Sequence, residues 1–314
     1  MAKIQSTIVA KDLSYKCKAY NLLPNYQFGG RLDHSTTNTL HYVEQFTRNT
    51  WRKGQVVSAL FLDIQAAFPN MRKDKLIMNM KVRNLAAEYC KYVNMILMQR
   101  QIQLKFNNHT STPFLPPNRC CQGCPLSMLL YTIYNAPLIQ VANKDKPNKQ
   151  IVGFMDDTTL LASSKNFDEA HGTLKNMMEH KNGVFEWSWS YNSPLKMNKL
   201  ALVNFTLSHK KASGARTLIL THPDRDGQLT HQIQPSPHAK LLGVLLDLKL
   251  TWKVQHEKVC EKAIKWTMAF KCFTKAVVGI HMNEAHKLYN AVAVPKITYA
   301  TDLWFHPKSS CKAD

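Results

Sequence analysis

Two apolar runs in this chain each end on aspartate, and that arrangement limits the possible folds more than any other feature. In IVGFMDDTTLLA (151–162) a mostly apolar run meets Asp156 and Asp157, and an apolar, β-branched run resumes at once. In QVVSALFLDIQAAF (55–68) a continuous apolar run, the pattern of a central strand, ends near Asp63. Burying one carboxylate is costly, and two side by side also repel each other. A hairpin with residues 156–157 at its tip exposes them and removes the first cost. The repulsion remains, and a divalent cation between the carboxylates relieves it; Mg²⁺ takes oxygen ligands. Asp63 is the candidate third carboxylate. Three aspartates on adjacent strands can hold two Mg²⁺ ions about 4 Å apart, which activates a hydroxyl nucleophile and stabilises the leaving oxygens of an in-line phosphoryl displacement. The plainer reading of Asp156-Asp157 is turn chemistry, since Asp is common in turns.

Around these runs the pattern is mixed. Periodicity predicts helices over 2–20, stopped near Leu23-Pro24, and over 37–52, 73–85, 86–98 and 168–179. CPLSMLLYTIYNAPLI (124–139) puts Leu126, Leu129, Leu130 and Ile133 on one helical face, with Pro125 suited to the first turn. Strands are expected at 102–107 and 200–208, a Pro-rich loop at 112–118, and strand or turn at 239–247. The Gly-, Pro- and His-rich stretch 209–238 reads as a linker. The last long helix, 254–276, has two faces, with Val259, Ala263, Trp266 and Phe270 on one and Lys258, Lys262 and Lys265 on another. Strands and helices without regular βα alternation point to an α+β fold.

The charge narrows the partner. Lys and Arg number 41 against 21 Asp and Glu, a net charge of +20. That favours a polyanion, nucleic acid first and an anionic membrane surface second. No apolar run is long enough to span a bilayer, and no secretory signal opens the chain. The eight scattered cysteines suit a reducing, intracellular compartment. Cys120, Cys121 and Cys124 have no companion CxxC or HxxxH to complete a zinc site and read as buried thiols.

The motifs also fall in a known order. FLDIQAAFPN, followed about ninety residues later by FMDD, resembles motifs A and C of reverse transcriptases, and QGCPLSMLLYTIYNAPLI between them resembles motif B. FGGRLDHSTT resembles the segment ahead of motif A in the reverse transcriptases of non-LTR (LINE-type) retrotransposons. HAKLLGVLLDLKLTW resembles the segment leading into the thumb, and LYNAVAVPKITYATDLWF the region beyond it. The resemblance covers nearly the whole chain. It implies a right-hand polymerase palm with partial fingers and a helical thumb. Residues 1–54 would be partial fingers and a template-binding segment, 55–208 the palm with inserted fingers helices, and 209–314 a linker, the thumb and a downstream connection.

The same resemblance implies RNA-directed DNA synthesis: a DNA primer on an RNA template, extended from a dNTP with two Mg²⁺ ions, or Mn²⁺ in their place. Asp63 and Asp156 would be the principal metal ligands and Asp157 a third carboxylate in weaker or indirect contact. Phe68, five residues after Asp63, would be the aromatic gate against a 2′-hydroxyl, the group that distinguishes ribose from deoxyribose; the plainer reading is a core phenylalanine. Gln122 would contact template or incoming nucleotide, and Gly123 would let the backbone approach the nascent base pair. Lys199 would donate a proton to pyrophosphate or simply be solvated. Arg31 would touch template phosphate. Lys258, Lys262 and Lys265 would track the duplex backbone, the alternative being a solvated face.

Motif B departs from the family pattern at Arg119-Cys120-Cys121 and Met128, and motif A at Gln65 and Ala66; every expected metal ligand is kept. The upstream fingers hairpin, flanking endonuclease and RNase H domains and a zinc knuckle are not visible, so the chain reads as an internal piece of a retrotransposon polyprotein. Two other readings stay open: a palm–thumb remnant that binds nucleic acid without turnover, and a maturase-like splicing factor. The resemblance places the work at nuclear chromatin, with no clear import signal. No motif speaks to oligomeric state.

Overall fold

The computed structural model describes residues 2–98, 101–114, 120, 123–142, 147–208, 217–224, 227–274 and 279–305. The chain divides into two compact units, Met1–Ser236 and Pro237–Asp314. In the first, α1 (Ala2–Ala19) and α2 (Thr36–Arg52) precede β1 (Val56–Leu62), and α3 (Lys73–Val82) and α4 (Ala87–Met98) follow it. A short exposed ladder, β2 (Lys105–Phe106) with β3 (His109–Thr110), leads to α5 (Ser127–Ile139). Then come the hairpin β4 (Lys149–Phe154) and β5 (Asp157–Ser164), α6 (Phe167–Glu179), α7 (Val184–Ser190), β6 (Ala201–Phe205) and a second hairpin, β7 (Leu218–Asp224) with β8 (Gly227–Ile233).

The core sheet has the order β4-β5-β1-β6, antiparallel throughout. β1 is central because all seven of its residues are buried, which a strand with neighbours on both edges and packing on both faces requires. Helices α2 and α6 pack against it. Both start where the side chains dictate. Ser35 caps α2 in a reciprocal capping box with Asn38, and Asn166 Oδ1 accepts the Glu169 N–H at the start of α6.

Three expectations change. The helix at 124–139 begins at Ser127, with Pro125 in the turn before it, and it is buried on nearly every side rather than on one face. It is enclosed by α3, α7 and β4, and Asn79 Nδ2 donates to the carbonyls of Ile133 and Tyr134 at 3.3 and 3.1 Å. The 102–107 strand shrinks to an isolated bridge, Ile102 with Phe114, and the two-residue β2. The supposed linker carries β7 and β8, which bury Leu218, Leu220 and Ile233; β7 packs on α6. Composition hid an alternating strand there. Residues 209–216 of that stretch lie outside the described residues.

The β7–β8 hairpin makes one pH-dependent prediction. The His222 and His231 rings stack with centroids 5.1 Å apart, and their Nε2 atoms stand 3.1 Å apart. Desolvation, and then the charge of His222, push His231 below the ordinary 6.5. A folded-state value below the unfolded one stabilises above about pH 6.5 and is lost as pH falls. His231→Gln should therefore lose less melting temperature than the parent chain between about pH 7.5 and 5.5. Equal losses would show that the pair does not couple to folding.

In the second unit, β9 (His238–Leu241) and β10 (Val244–Asp247) form a hairpin whose turn holds Leu242 at φ 46° and Gly243 at φ 91°, the left-handed conformations of a two-residue turn. Asp247 then gathers the chain: its carboxylate accepts the N–H groups of Thr251 and Trp252, each at 2.9 Å. The helix Lys253–Phe273 follows. Val259 is buried and Ala263, Trp266 and Phe270 are half-buried, as the two-faced pattern predicts; Lys262 and Lys265 are exposed and Lys258 is half-buried. No helix among the described residues is long and apolar enough to cross a membrane.

Candidate active site

The turn between β4 and β5 sets the site. Phe154 pairs with Asp157, leaving Met155 and Asp156 as a two-residue connection. Asp156 and Asp157 are exposed, while Met155 is buried and left-handed at φ 56°. A methionine holds that conformation only where its surroundings impose it. Asn135 Nδ2, buried on α5, donates to the Met155 carbonyl at 3.1 Å. From the other side Phe28 N–H donates to Gly153 O at 2.8 Å and Gly153 N–H to Tyr26 O at 3.0 Å. The FGG segment is therefore a buttress. A Cβ on Gly29 would stand 2.4 Å from Met155 N, and one on Gly30, at φ 72°, 2.3 Å from Thr132 Oγ1. Only glycine lets this loop pass between α5 and the turn.

Asp63 follows β1 directly. The last pair in that ladder is Leu62 with Thr158, so the register brings Asp63 to the end of the sheet where β5 starts at Asp157. Its backbone is clamped: Lys196 N–H donates to Asp63 O at 2.9 Å, Ile64 bridges to Leu195, and Gln65 N–H donates to Pro194 O at 2.8 Å. Its carboxylate is about a third exposed and faces two ammonium groups, Lys196 Nζ at 2.9 Å from Oδ1 and Lys199 Nζ at 3.6 Å from Oδ2. Lys199 was singled out by the resemblance as a proton donor to pyrophosphate. Lys196 was not, although the spacing held the signal: both lie around the single 3₁₀ turn Met197–Lys199, where residues three apart eclipse.

Phe68 is half-buried, its ring 5.0 Å from that of Tyr131. Tyr131 is fully buried, and its hydroxyl has no hydrogen-bond partner among the described residues. Burial, and then the negative charge of Asp156, push that hydroxyl well above the ordinary tyrosine value. Phe68 is thus linked through Tyr131 to the side of the palm that carries Asp156. Sequence reasoning had no reason to single out Tyr131 inside an apolar helix.

The other expected residues are more scattered. Arg31 Nη1 donates to the carbonyls of Pro24 and Gln27 at 2.7 and 3.2 Å and so braces the loop beside β4. Gly123 is exposed at φ 86°, with open space where a Cβ would sit, so its backbone angle and not crowding calls for glycine. Gln122 lies outside the described residues. Lys258, Lys262 and Lys265 belong to the second unit. Cys120 is buried and Cys124 half-buried.

Among the described residues, no three His, Cys, Asp or Glu side chains are gathered closely enough to hold a metal ion as they stand. The donor set still fits a hard divalent cation. The register puts three oxygen-bearing side chains at one sheet end, and Asp63 already attracts positive charge to both of its oxygens.

Residues 1–246 match the family described as reverse transcriptase (RNA-dependent DNA polymerase). The chain belongs to the reverse transcriptase family. It is 27% identical over 307 residues to the probable RNA-directed DNA polymerase from transposon BS of Drosophila melanogaster, covering 97% of this chain and 32% of that protein. It is 25% identical over 293 residues to the RNA-directed DNA polymerase from mobile element jockey of Drosophila funebris, covering 90% of this chain and 30% of that one. This reverse transcriptase chain therefore spans about a third of the length of the curated relatives it matches. Among solved structures it resembles apo telomerase from Candida tropicalis truncated from the C-terminal domain, with TM-score 0.52, 10% identity, and coverage of 79% of this chain and 43% of that one. Telomerase from the same organism in complex with a TWJ fragment of telomeric RNA gives TM-score 0.50 and 10% identity, covering 95% of this chain and 47% of that one. At that identity the likeness is one of fold alone. The non-LTR reverse transcriptase family and the α+β polymerase palm read from the motifs are both borne out.

Proposed function

We propose that this reverse transcriptase chain is the palm-centred part of an RNA-directed DNA polymerase that extends a DNA primer on an RNA template from dNTPs. The observation that supports the reading is that the β1–β5 register brings Asp63 and the Asp156-Asp157 turn to the same end of the sheet. Asp63 and Asp156 would be the principal ligands of two Mg²⁺ ions, or Mn²⁺, with Asp157 in weaker contact. Bound there, the ions would lower the pKa of a hydroxyl nucleophile and neutralise charge on the phosphoryl oxygens. The primer 3′-hydroxyl would give its proton to solvent as its oxygen bonds to the α-phosphorus, the bond to pyrophosphate would break, and Lys199 would protonate the leaving group.

The remaining assignments rest on the resemblance of the motifs. Gln122 and Gly123 would face the nascent pair. Arg31 would act on the template through the loop it braces. Residues 1–54 would be partial fingers, 55–208 the palm, and the chain beyond 209 would include a thumb whose Lys258, Lys262 and Lys265 track phosphates. The reaction would take place in the nucleus.

Primer extension by the purified chain on an RNA template, with dNTPs and Mg²⁺, tests the proposal. Template-dependent extension supports it, and binding without extension would leave a remnant or a maturase-like factor. Phe68 adds a sharper test. Its ring would abut C2′ of the incoming sugar, so Phe68→Ala should raise ribonucleotide incorporation relative to dNTP by about ten- to a hundred-fold. An unchanged ratio would make Phe68 a packing residue on Tyr131 and nothing more.

A further inference from the structure

We propose that Lys196 is a latch on Asp63: it holds the carboxylate while no divalent cation is bound and releases Oδ1 when one arrives. The inference rests on reading Asp63 as a metal ligand. Both carboxylate oxygens are claimed by ammonium groups, but not equally. Lys196 makes a charge-assisted hydrogen bond of 2.9 Å to Oδ1, whereas Lys199 stands at 3.6 Å from Oδ2.

The latch is fixed at its root. The Lys196 N–H donates to the carbonyl of Asp63 itself, and the Ile64–Leu195 bridge and the Gln65–Pro194 bond continue the clamp. The two backbones cannot separate without breaking a short ladder, so the ammonium stays within reach of the carboxylate. The pair is also not sealed. The Lys196 and Asp63 side chains are 32% and 35% exposed, so the ammonium can turn to water without being stranded in a low-dielectric interior.

The arrangement has a physical purpose. Without a cation, the Asp63 carboxylate stands at the sheet end that also carries Asp156 and Asp157, and like charges disfavour one another there. Lys196 offsets one of those charges and keeps Asp63 in place. A divalent ion competes for the same lone pairs and repels the ammonium, so Lys196 weakens the binding of free metal. The released ammonium is then available to the phosphates that accompany the ion. Lys196 is in this sense a positioning residue, distinct from the proton donor proposed at Lys199.

The test measures Mn²⁺ binding to the full chain by electron paramagnetic resonance, without nucleotide or nucleic acid, and melting with EDTA or Mn²⁺. Lys196→Met should bind Mn²⁺ about three- to ten-fold more tightly than the parent chain. It should melt lower in EDTA and gain more from Mn²⁺. Lys196→Arg should restore the weak binding, and Asp63→Asn should abolish binding in both backgrounds. If Lys196→Met does not fold, Lys196→Gln is read in the same way. Mn²⁺ bound equally or more weakly by the Lys196 variant, and still lost in Asp63→Asn, would overturn the latch and keep the metal site. No Mn²⁺ bound by either the parent or the variant would overturn both.

Discussion

Replacing Asp156 by Asn is expected to cut primer extension by at least about a thousand-fold while leaving the fold intact. The asparagine is nearly isosteric and keeps one oxygen, but it loses the charge on which cation binding depends. Asp156 sits exposed at the tip of the β4–β5 turn, so no packing is lost with the charge. Neutralising it removes a like-charged neighbour of Asp157. The variant should melt at the parent temperature or slightly above it. Extension of a labelled primer on an RNA template, beside a thermal melt, checks both halves. A variant that folds and still extends within about ten-fold of the parent would remove Asp156 from the catalytic set.

The second large effect is expected at a residue that carries no charge of its own. Gly29→Ala places a Cβ 2.4 Å from Met155 N and 2.9 Å from the carbonyl carbon of Phe154. Both are backbone atoms at the β4–β5 turn, and no flexible side chain can move aside to admit the methyl. Either the Tyr26–Gly30 loop lifts off β4 or the turn shifts toward solvent. Lifting the loop breaks the Phe28–Gly153 and Gly153–Tyr26 hydrogen bonds. Shifting the turn strains the Asn135 bond that holds Met155 in its left-handed conformation. Overpacking of this kind costs about 1–3 kcal/mol, and a displacement of about 1 Å at the reacting groups costs about a hundred-fold in rate. Gly172→Ala is the control. Gly172 lies on an exposed face of α6 with nothing near its would-be Cβ, and alanine there should be neutral or stabilise by about 0.5–1 kcal/mol through helix propensity. Wild-type melting and extension in Gly29→Ala would mean that the loop is not a buttress.

The two experiments address different layers of the same site, and those layers were legible to different degrees. β1 and the β4–β5 hairpin could be read from residues alone, because a buried strand announces itself by an unbroken apolar run and a carboxylate pair at a tip has few other places to go. The helices α2 and α6 were legible for the same local reason, their helical pattern of residues; the caps at Ser35 and Asn166 came from the structure. The β7–β8 hairpin was not, because its alternation lies among Gly, Pro and His residues that signal a linker when read one by one.

Within the site, the sequence by itself determined which residues carry charge and which strands end on them, because apolar runs and turn chemistry act over a few neighbours. Tertiary structure alone decided the rest. It set Asp63 beside the turn through a register between strands about ninety residues apart, and brought Lys196 to Oδ1 through a backbone clamp. It also put the loop at Gly29 against Met155. Each of these is a contact between segments far apart in the chain. Such contacts are selected by the packing of the whole sheet, and no local pattern of side chains encodes them.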